Sequence, residues 1–310
     1  MNFLKKIKIP DFLLKQESSI GLDIGSSSLK LIELEKKGKE KILKRFSYVE
    51  LTPGADLGSS LSDFLKSQKL AGRQVNISVS GQSVVTRYLN WPRMTMNELK
   101  NAMQFEAKEY IPFPLEEVAL DCAIIKDDSE NSKMLIVLTA IKKVILWERL
   151  GLLEKAGLFP RIIDVDCFCL ANIFAKSYSV WDTSAKEKTI ALLNIGALTT
   201  NMAIVDSGIL RFSRDISFGV KDLALAGLSA EISTSIDYYE NQNGRPVEKF
   251  LVSGGGSYSQ DTLNFLSHQL NLPVDSFDIL CGIAMDQGLN GEEFKPKKNL
   301  FAVALGLALR

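Results

Sequence analysis

Histidine is nearly missing from this chain. His268 is the only one in 310 residues, which excludes histidine-based zinc sites and any acid–base mechanism that needs two imidazoles. It lies in the helical pattern DTLNFLSHQLNL beside an apolar stripe of Leu263, Leu266 and Leu270, and so reads as a solvated helix residue. Net charge is also missing: 37 basic residues balance 37 acidic ones, which leaves no surplus for a nucleic-acid partner. The four cysteines, Cys122, Cys167, Cys169 and Cys281, form no CxxC pair and accompany no secretion signal, the pattern of reduced thiols in a cytoplasmic protein. No apolar run approaches the roughly 18 to 20 residues of a membrane span. The longest are MLIVLTAI at 134–141 and LFAVALGLAL at 300–309. Neither a Walker A loop nor a GxGxxG turn occurs.

What is present suits a two-domain globular protein, at about 150 residues per domain. Hydrophobic residues make up 46% and charged residues 24%, so a sizeable core is available. The first 18 residues form a basic arm whose Lys5, Lys6 and Lys8 precede a short apolar patch interrupted by Pro10 and Asp11; a cleaved leader is not expected, and contact with anionic lipid is a secondary reading.

Periodicity predicts three strands in SIGLDIG, SLKLIELEKKG and KILKRFSYVEL, then a helix over 57–69 and a strand in VNISVS. A strand at 82–90 leads to a helix in TMNELKNAMQFEAKEYI, with Leu99, Met103 and Ala107 as its buried stripe. The prolines of Ile111-Pro112-Phe113-Pro114 end that helix. Strands near 118–125 and 134–140, a helix near 142–156, the strand RIIDVD and the helix CFCLANIFAKSY follow. The polar stretch SVWDTSAKEK then marks a boundary. TIALLNIGALTTNMAIVDSGILRFSRDIS repeats the opening grammar of strand, glycine turn, strand, hairpin and strand. A duplicated α/β fold with a cleft between the copies follows from that repeat.

Three turns carry the candidate chemistry. In the first, Asp23 precedes Gly25, Ser26, Ser27, Ser28 and Lys30. Glycine and serine let backbone N–H groups and hydroxyls approach an anion, Lys30 adds charge, and Asp23 can hold Mg²⁺ through water. The matching turn contains Asn194, Gly196, Ala197, Thr199 and Thr200. The third is the triple glycine Gly254, Gly255 and Gly256, which permits positive φ and leaves no side chain to block a flat ligand. Asp164 and Asp166, at a strand end, are candidates for orienting a water, against the alternatives of helix capping or interlobe bonding.

These elements in this order resemble the actin/Hsp70/sugar-kinase superfamily. Within it, GLDIGSSSLKLIEL, WPRMTMNELKNAMQFEAKEYIPFPLEEVALD, NIGALTTNMAIVDSGILRFSRDIS and FAVALGLALR resemble the PilM family of type IV pilus assembly proteins over nearly the whole chain from about residue 19. The resemblance implies a duplicated actin-like (RNase H-like) two-lobe α/β fold, FtsA-like, with a 1C-type subdomain and a reduced 2B subdomain. It divides the chain into lobe 1 (1A) at 19–81 and 161–180, an inserted 1C-like subdomain at 82–160, and lobe 2 (2A with truncated 2B) at 181–310.

The resemblance further implies a cytoplasmic scaffold, peripheral at the inner membrane, that binds the cytoplasmic tail of a PilN-type protein and works with other pilus assembly and motor proteins. Exposed apolar side chains around Tyr110, Ile111, Pro112 and Phe113 are expected to help shape the docking groove, the alternative being that they only end a helix and fill a core. A weak homo-oligomer is compatible with it. It implies ATP with Mg²⁺ in the cleft, weakened by two departures. Asn194 stands where the family pattern has aspartate, and the chain passes directly from SFGVKDLALAG into LSAEISTSIDYYENQNG, whose stripe is Leu228, Ile232, Ile236 and Tyr239. The competing readings are an active ATPase or small-molecule kinase of the same superfamily, and a GspL-like secretion component, which would need a separate membrane partner because the chain ends at Arg310 without a span.

Overall fold

A computed structural model describes residues 18–38, 40–178, 188–220 and 225–310. The basic arm apart from its last residue, all but the last residue of the 179–188 boundary, and part of the stretch before the second-half helix lie outside the described residues.

The opening meander forms β1 (Ser18–Ile24), β2 (Ser28–Lys37) and β3 (Glu40–Glu50), followed by α1 (Leu57–Ser67) and β4 (Gln74–Val79). Then come β5 (Val84–Pro92), α2 (Met96–Glu106), β6 (Val118–Asp128), β7 (Lys133–Lys142), α3 (Lys143–Lys155), β8 (Phe159–Val165) and α4 (Asp166–Tyr178). The second half gives β9 (Thr189–Ile195), β10 (Thr200–Asp206), β11 (Ile209–Ile216), α5 (Leu225–Asn243), β12 (Lys249–Gly254), α6 (Gln260–Leu270) and β13 (Val274–Ser276). The chain closes with β14 (Ala284–Met285), α7 (Gly291–Phe294) and α8 (Ala302–Ala308).

Local chemistry explains the boundaries. Asp56 accepts from the Ser59 N–H at 2.7 Å to start α1. Thr95 and Glu98 make a reciprocal capping box at α2, whose Leu99 and Met103, with Ala107 at its C-cap, are all buried as the spacing predicts. The hairpin between β10 and β11 turns on Ser207 and Gly208, at φ 51° and 76°.

The strands assemble into a six-stranded sheet ordered β14-β3-β2-β1-β4-β8, a five-stranded sheet ordered β11-β10-β9-β12-β13, and a three-stranded sheet ordered β5-β7-β6. Strand for strand, β3-β2-β1-β4 corresponds to β11-β10-β9-β12, so the repeat seen in sequence is a repeat of topology. Eight residues, 217–224, separate β11 from α5.

One core joins the two large sheets: Ile32, Leu34 and Leu43 meet Leu170 and Phe174 of α4, Leu192, Ala203 and Leu251, and the α8 residues Ala304 and Leu305. α8 is the LFAVALGLAL run, buried at every residue from Ala302 to Ala308. It lies against β1 and α4, so the end of the chain returns to the six-stranded sheet, as β14 also does on the edge of β3. The outer faces are covered separately, by α1 with Leu153 and Leu158 on one sheet and by α5 and α6 on the other. Leu228, Ile232, Ile236 and Tyr239 of α5 are buried there, while His268 is exposed on α6 as expected. The three-stranded sheet has its own core around Leu99, Met103, Ile136 and Leu138. Among the described residues no helix is long and apolar enough to cross a membrane.

Candidate functional site

The first two turns are built alike. The Gly25 N–H donates to the Ser28 carbonyl at 3.1 Å, and the Gly196 N–H donates to the Thr199 carbonyl at 2.9 Å. Both amides are therefore taken up in closing their own turns. Ser28 and Thr200 are buried, and the Thr200 hydroxyl donates to the Phe218 carbonyl at 2.8 Å, which makes these two residues part of the scaffold. Ser26 is exposed and Ser27, Ala197 and Thr199 are partly exposed.

Lys30 and Asp23 face each other across β1 and β2 at 2.9 Å, each side chain 12% exposed. The charge expected to reach a bound anion is thus paired with the carboxylate expected to reach a metal. Arg149, from α3, was not singled out by sequence; its guanidinium donates to the Ile24 carbonyl at 3.2 Å. Burial pulls its pKa down against the upward pull of Asp166 and Asp23.

The third turn packs directly on the second. A Cβ at Gly254 (φ 78°) would stand 2.5 Å from the Ile195 carbonyl oxygen and 2.8 Å from Asn194 Oδ1, and one at Gly256 would stand 2.7 Å from the Ile195 side chain. These two glycines serve turn-to-turn packing. Gly255 alone has open space, with the Ile195 carbonyl oxygen 3.9 Å away. Gly219, which sequence reasoning missed, braces the second turn from the other side, its Cβ position 2.5 Å from Ala197.

The two strand-end acids part company. Asp164 is buried and held by two Arg310 nitrogens, Nε at 2.5 Å and Nη2 at 3.0 Å. That ion pair engages both oxygens of its carboxylate. Asp166 opens α4 and takes hydrogen bonds from Ser78 and Ser80; desolvation, with the nearby carboxylates of Asp23 and Asp215, pushes its pKa up to about 6. Asp215 on β11, also missed, accepts from the Gly81 N–H at 2.5 Å and from Asn201 Nδ2 at 2.8 Å. A cavity of about 130 Å³ opens beside it, between β5, β11 and the start of α4, lined by Val84, Thr86, Val165, Cys167 and Ser213 among others.

The segment expected to help shape a docking groove packs on the small sheet. Ile111 is buried in the core of the small sheet, with Tyr110 edge-on to Trp91 and Phe113 packed beneath the Lys142 ammonium at 4.5 Å. Of these four residues only Pro112 is exposed. The prolines turn the chain back onto the sheet, so Ile111 joins the core while Tyr110 and Phe113 stay partly exposed beside it.

Comparison with known proteins agrees with this architecture. A family model described as type IV pilus assembly protein PilM matches residues 21–226. The chain is similar to a solved structure described as the PilM-PilN type IV pilus biogenesis complex, with a TM-score of 0.83, 25% identity, and coverage of 96% of this chain and 98% of that one. A Bacteroides thetaiotaomicron protein of actin-like ATPase fold and unknown function aligns with a TM-score of 0.50 at 8% identity over 92% and 97% of the two chains, a likeness of fold alone.

Proposed function

The chain belongs to the type IV pilus assembly PilM family, and on that premise we propose that it is a cytoplasmic actin-like scaffold that binds the cytoplasmic N-terminal tail of a PilN-type inner-membrane protein. The observation that carries the reading is the likeness to the PilM-PilN complex over 96% of the chain. The partner holds the scaffold at the membrane, and other pilus assembly and motor proteins read its state. The working division is lobe 1 at 19–81 and 161–180, the 1C-like insert at 82–160 and lobe 2 at 181–310, with α8 returning to pack on β1 and α4 of lobe 1. We assign the docking groove to the space between the small sheet and the lobes, where the cavity bounded by β5, β11 and the start of α4 pairs the apolar Val84 and Val165 with polar groups such as Thr86 and Ser213.

ATP with Mg²⁺ is assigned to the cleft between the three turns. Open space at Gly255 suits a flat base, and the exposed and half-exposed stretches Ser26–Ser27 and Ala197–Thr199 suit phosphates. Bound there, the nucleotide would bring negative charge that Lys30 and Arg149 can balance. Isothermal titration of the full chain with a PilN-type N-terminal peptide, and separately with Mg-ATP, tests both assignments. Saturable peptide binding is expected with or without nucleotide, and absence of peptide binding in both conditions would refute the scaffold reading.

A further inference from the structure

Four polar side chains stand in a row across the five-stranded sheet. Backbone register places Ser253 beside Asn194, Asn194 beside Asn201, and Asn201 beside Asp215, on β12, β9, β10 and β11. Asn194 Nδ2 donates to Asn201 Oδ1 at 2.9 Å, and Asn201 Nδ2 donates to Asp215 Oδ1 at 2.8 Å. The other carboxylate oxygen, Oδ2, accepts from the Gly81 N–H at 2.5 Å. The Cys167 thiol, kept protonated by burial, adds a third donor at 3.5 Å.

We propose that Asp215 is a positioning residue: it sets the direction of this hydrogen-bond chain, makes asparagine the matched residue at 194, and ties the second turn to the start of the small sheet. Donor inventory sets the direction of the row. A carboxylate only accepts, whereas an amide has one accepting and one donating end. With Asp215 at the end of the row, Asn201 turns its nitrogen toward β11 and its oxygen toward β9. Asn194 in turn presents nitrogen to Asn201 and oxygen to the third turn, where Ser253 Oγ lies 3.5 Å away. An aspartate at 194 would put two carboxylates on the one amide of Asn201.

The corresponding row of the first lobe reaches balance another way. There Asp23, Lys30 and Tyr48 are the register partners on β1, β2 and β3, and the carboxylate on the first strand is met by the cation on the second. In the second lobe the carboxylate has moved two strands outward, to β11. From that edge it reaches Gly81, the positive-φ residue (93°) just ahead of β5, so Asn194 complements Asp215 rather than marking a decayed metal site.

An exchange of the two residues tests the proposal in the full-length protein. Asn194→Asp and Asp215→Asn are each expected to lower the thermal midpoint by several degrees, about 2–4 °C per lost contact for a chain of this size. The double variant Asn194→Asp/Asp215→Asn can run the chain in reverse. The carboxylate introduced on β9 would then accept from Asn201 Nδ2, and Asn201 Oδ1 would accept from the nitrogen of the amide introduced on β11. The oxygen of that new amide would accept from the Gly81 N–H. The midpoint of the double variant is expected to return to within about 2 °C of the parent. Losses that add in the double variant, or single variants as stable as the parent, would overturn the proposal; if a single variant fails to fold, recovery of a folded double variant is the rescue.

A second readout rests on the nucleotide reading and is one that stability alone would not move. With its carboxylate returned to the turn, the double variant should gain about tenfold in Mg²⁺ dependence of ATP affinity. Rescue of the midpoint with no ATP binding by any variant, parent included, supports the hydrogen-bond chain and removes the nucleotide assignment.

Discussion

Asp166 shows how one carboxylate is tuned by position. Its folded-state pKa of about 6 exceeds the ordinary 3.8, so between those values the folded protein holds a proton that the unfolded chain has released. Stability therefore falls as pH rises through this window, and the full penalty applies above it. Asp166→Asn, which keeps an acceptor for Ser78 and Ser80, is expected to stabilise the protein at pH 8 by up to about 3 kcal/mol, with the gain vanishing below about pH 4. Urea unfolding at both pH values checks this; equal gains at both would mean that charge is not the cause. Arg310 gives the opposite case. Arg310→Met would leave Asp164, whose side chain is 3% exposed, as a buried unpaired carboxylate. Because the Arg310 side chain is itself 40% exposed, the cost expected is about 2–3 kcal/mol rather than that of a fully buried pair. Adding Asp164→Asn should recover part of the loss, and a second variant no more stable than the first would contradict the assignment.

At the scale of elements, glycine placement decides which helix can lie where. A Cβ at Gly306 would overlap the Cys169 carbonyl oxygen, and one at Gly21 would overlap that of Ala304, so α8 sits against α4 and β1 at backbone distance. Gly306→Ala should cost about 2–3 kcal/mol through forced separation of α8 from α4. Gly151→Ala, inside α3 with nothing within 4 Å of the new Cβ, should instead gain about 0.5–1 kcal/mol from helix propensity. Chemical denaturation of the two variants side by side distinguishes packing from propensity, and a shared sign would refute the contrast. Elements of this kind were readable in advance wherever a period was present: the meanders, the α2 stripe and the α5 stripe all lie where alternation or three-four spacing places them. The destination of the 300–309 run was not, since an apolar run reports burial but not what covers it. The site was half readable. Glycine turns announced themselves, and the seven-residue spacing from Asp23 to Lys30 recurs from Asn194 to Asn201, which would have singled out Asn201. Arg149 and Asp215 carry no local signature, because tertiary packing alone brings them to the turns.

For the whole molecule, the distribution of cores determines how it comes apart. The two large sheets share one continuous apolar core through α4 and α8, which makes the lobes a single cooperative unit. The small sheet keeps a separate core under α2, and a minor cluster of Val79, Ile141 and Leu146 joins it to lobe 1. Toward lobe 2 its edge strand β5 meets the edge strand β11 through polar side chains: Thr86 and Tyr88 reach the Ser213 hydroxyl at 2.8 and 2.9 Å, and Gln82 reaches Ser217 at 3.4 Å. Side-chain hydrogen bonds of this type contribute only about 1 kcal/mol each, far less than a shared apolar face. The small sheet with α2 should therefore open without the lobes, while α3 stays with lobe 1. Native-state hydrogen exchange in increasing urea is expected to show β5, β6 and β7 exchanging through a sub-global opening about 2–4 kcal/mol below global unfolding, while β9 and β10 exchange only globally. Tyr88→Phe with Ser213→Ala should lower the opening energy of the small sheet further and leave that of β9 and β10 nearly unchanged. Identical opening energies and urea slopes for all of these strands would show instead that the insert is locked to the lobes. A small sheet that opens separately leaves the shared core of the lobes undisturbed, and the polar seam at Ser213 is where that freedom is set.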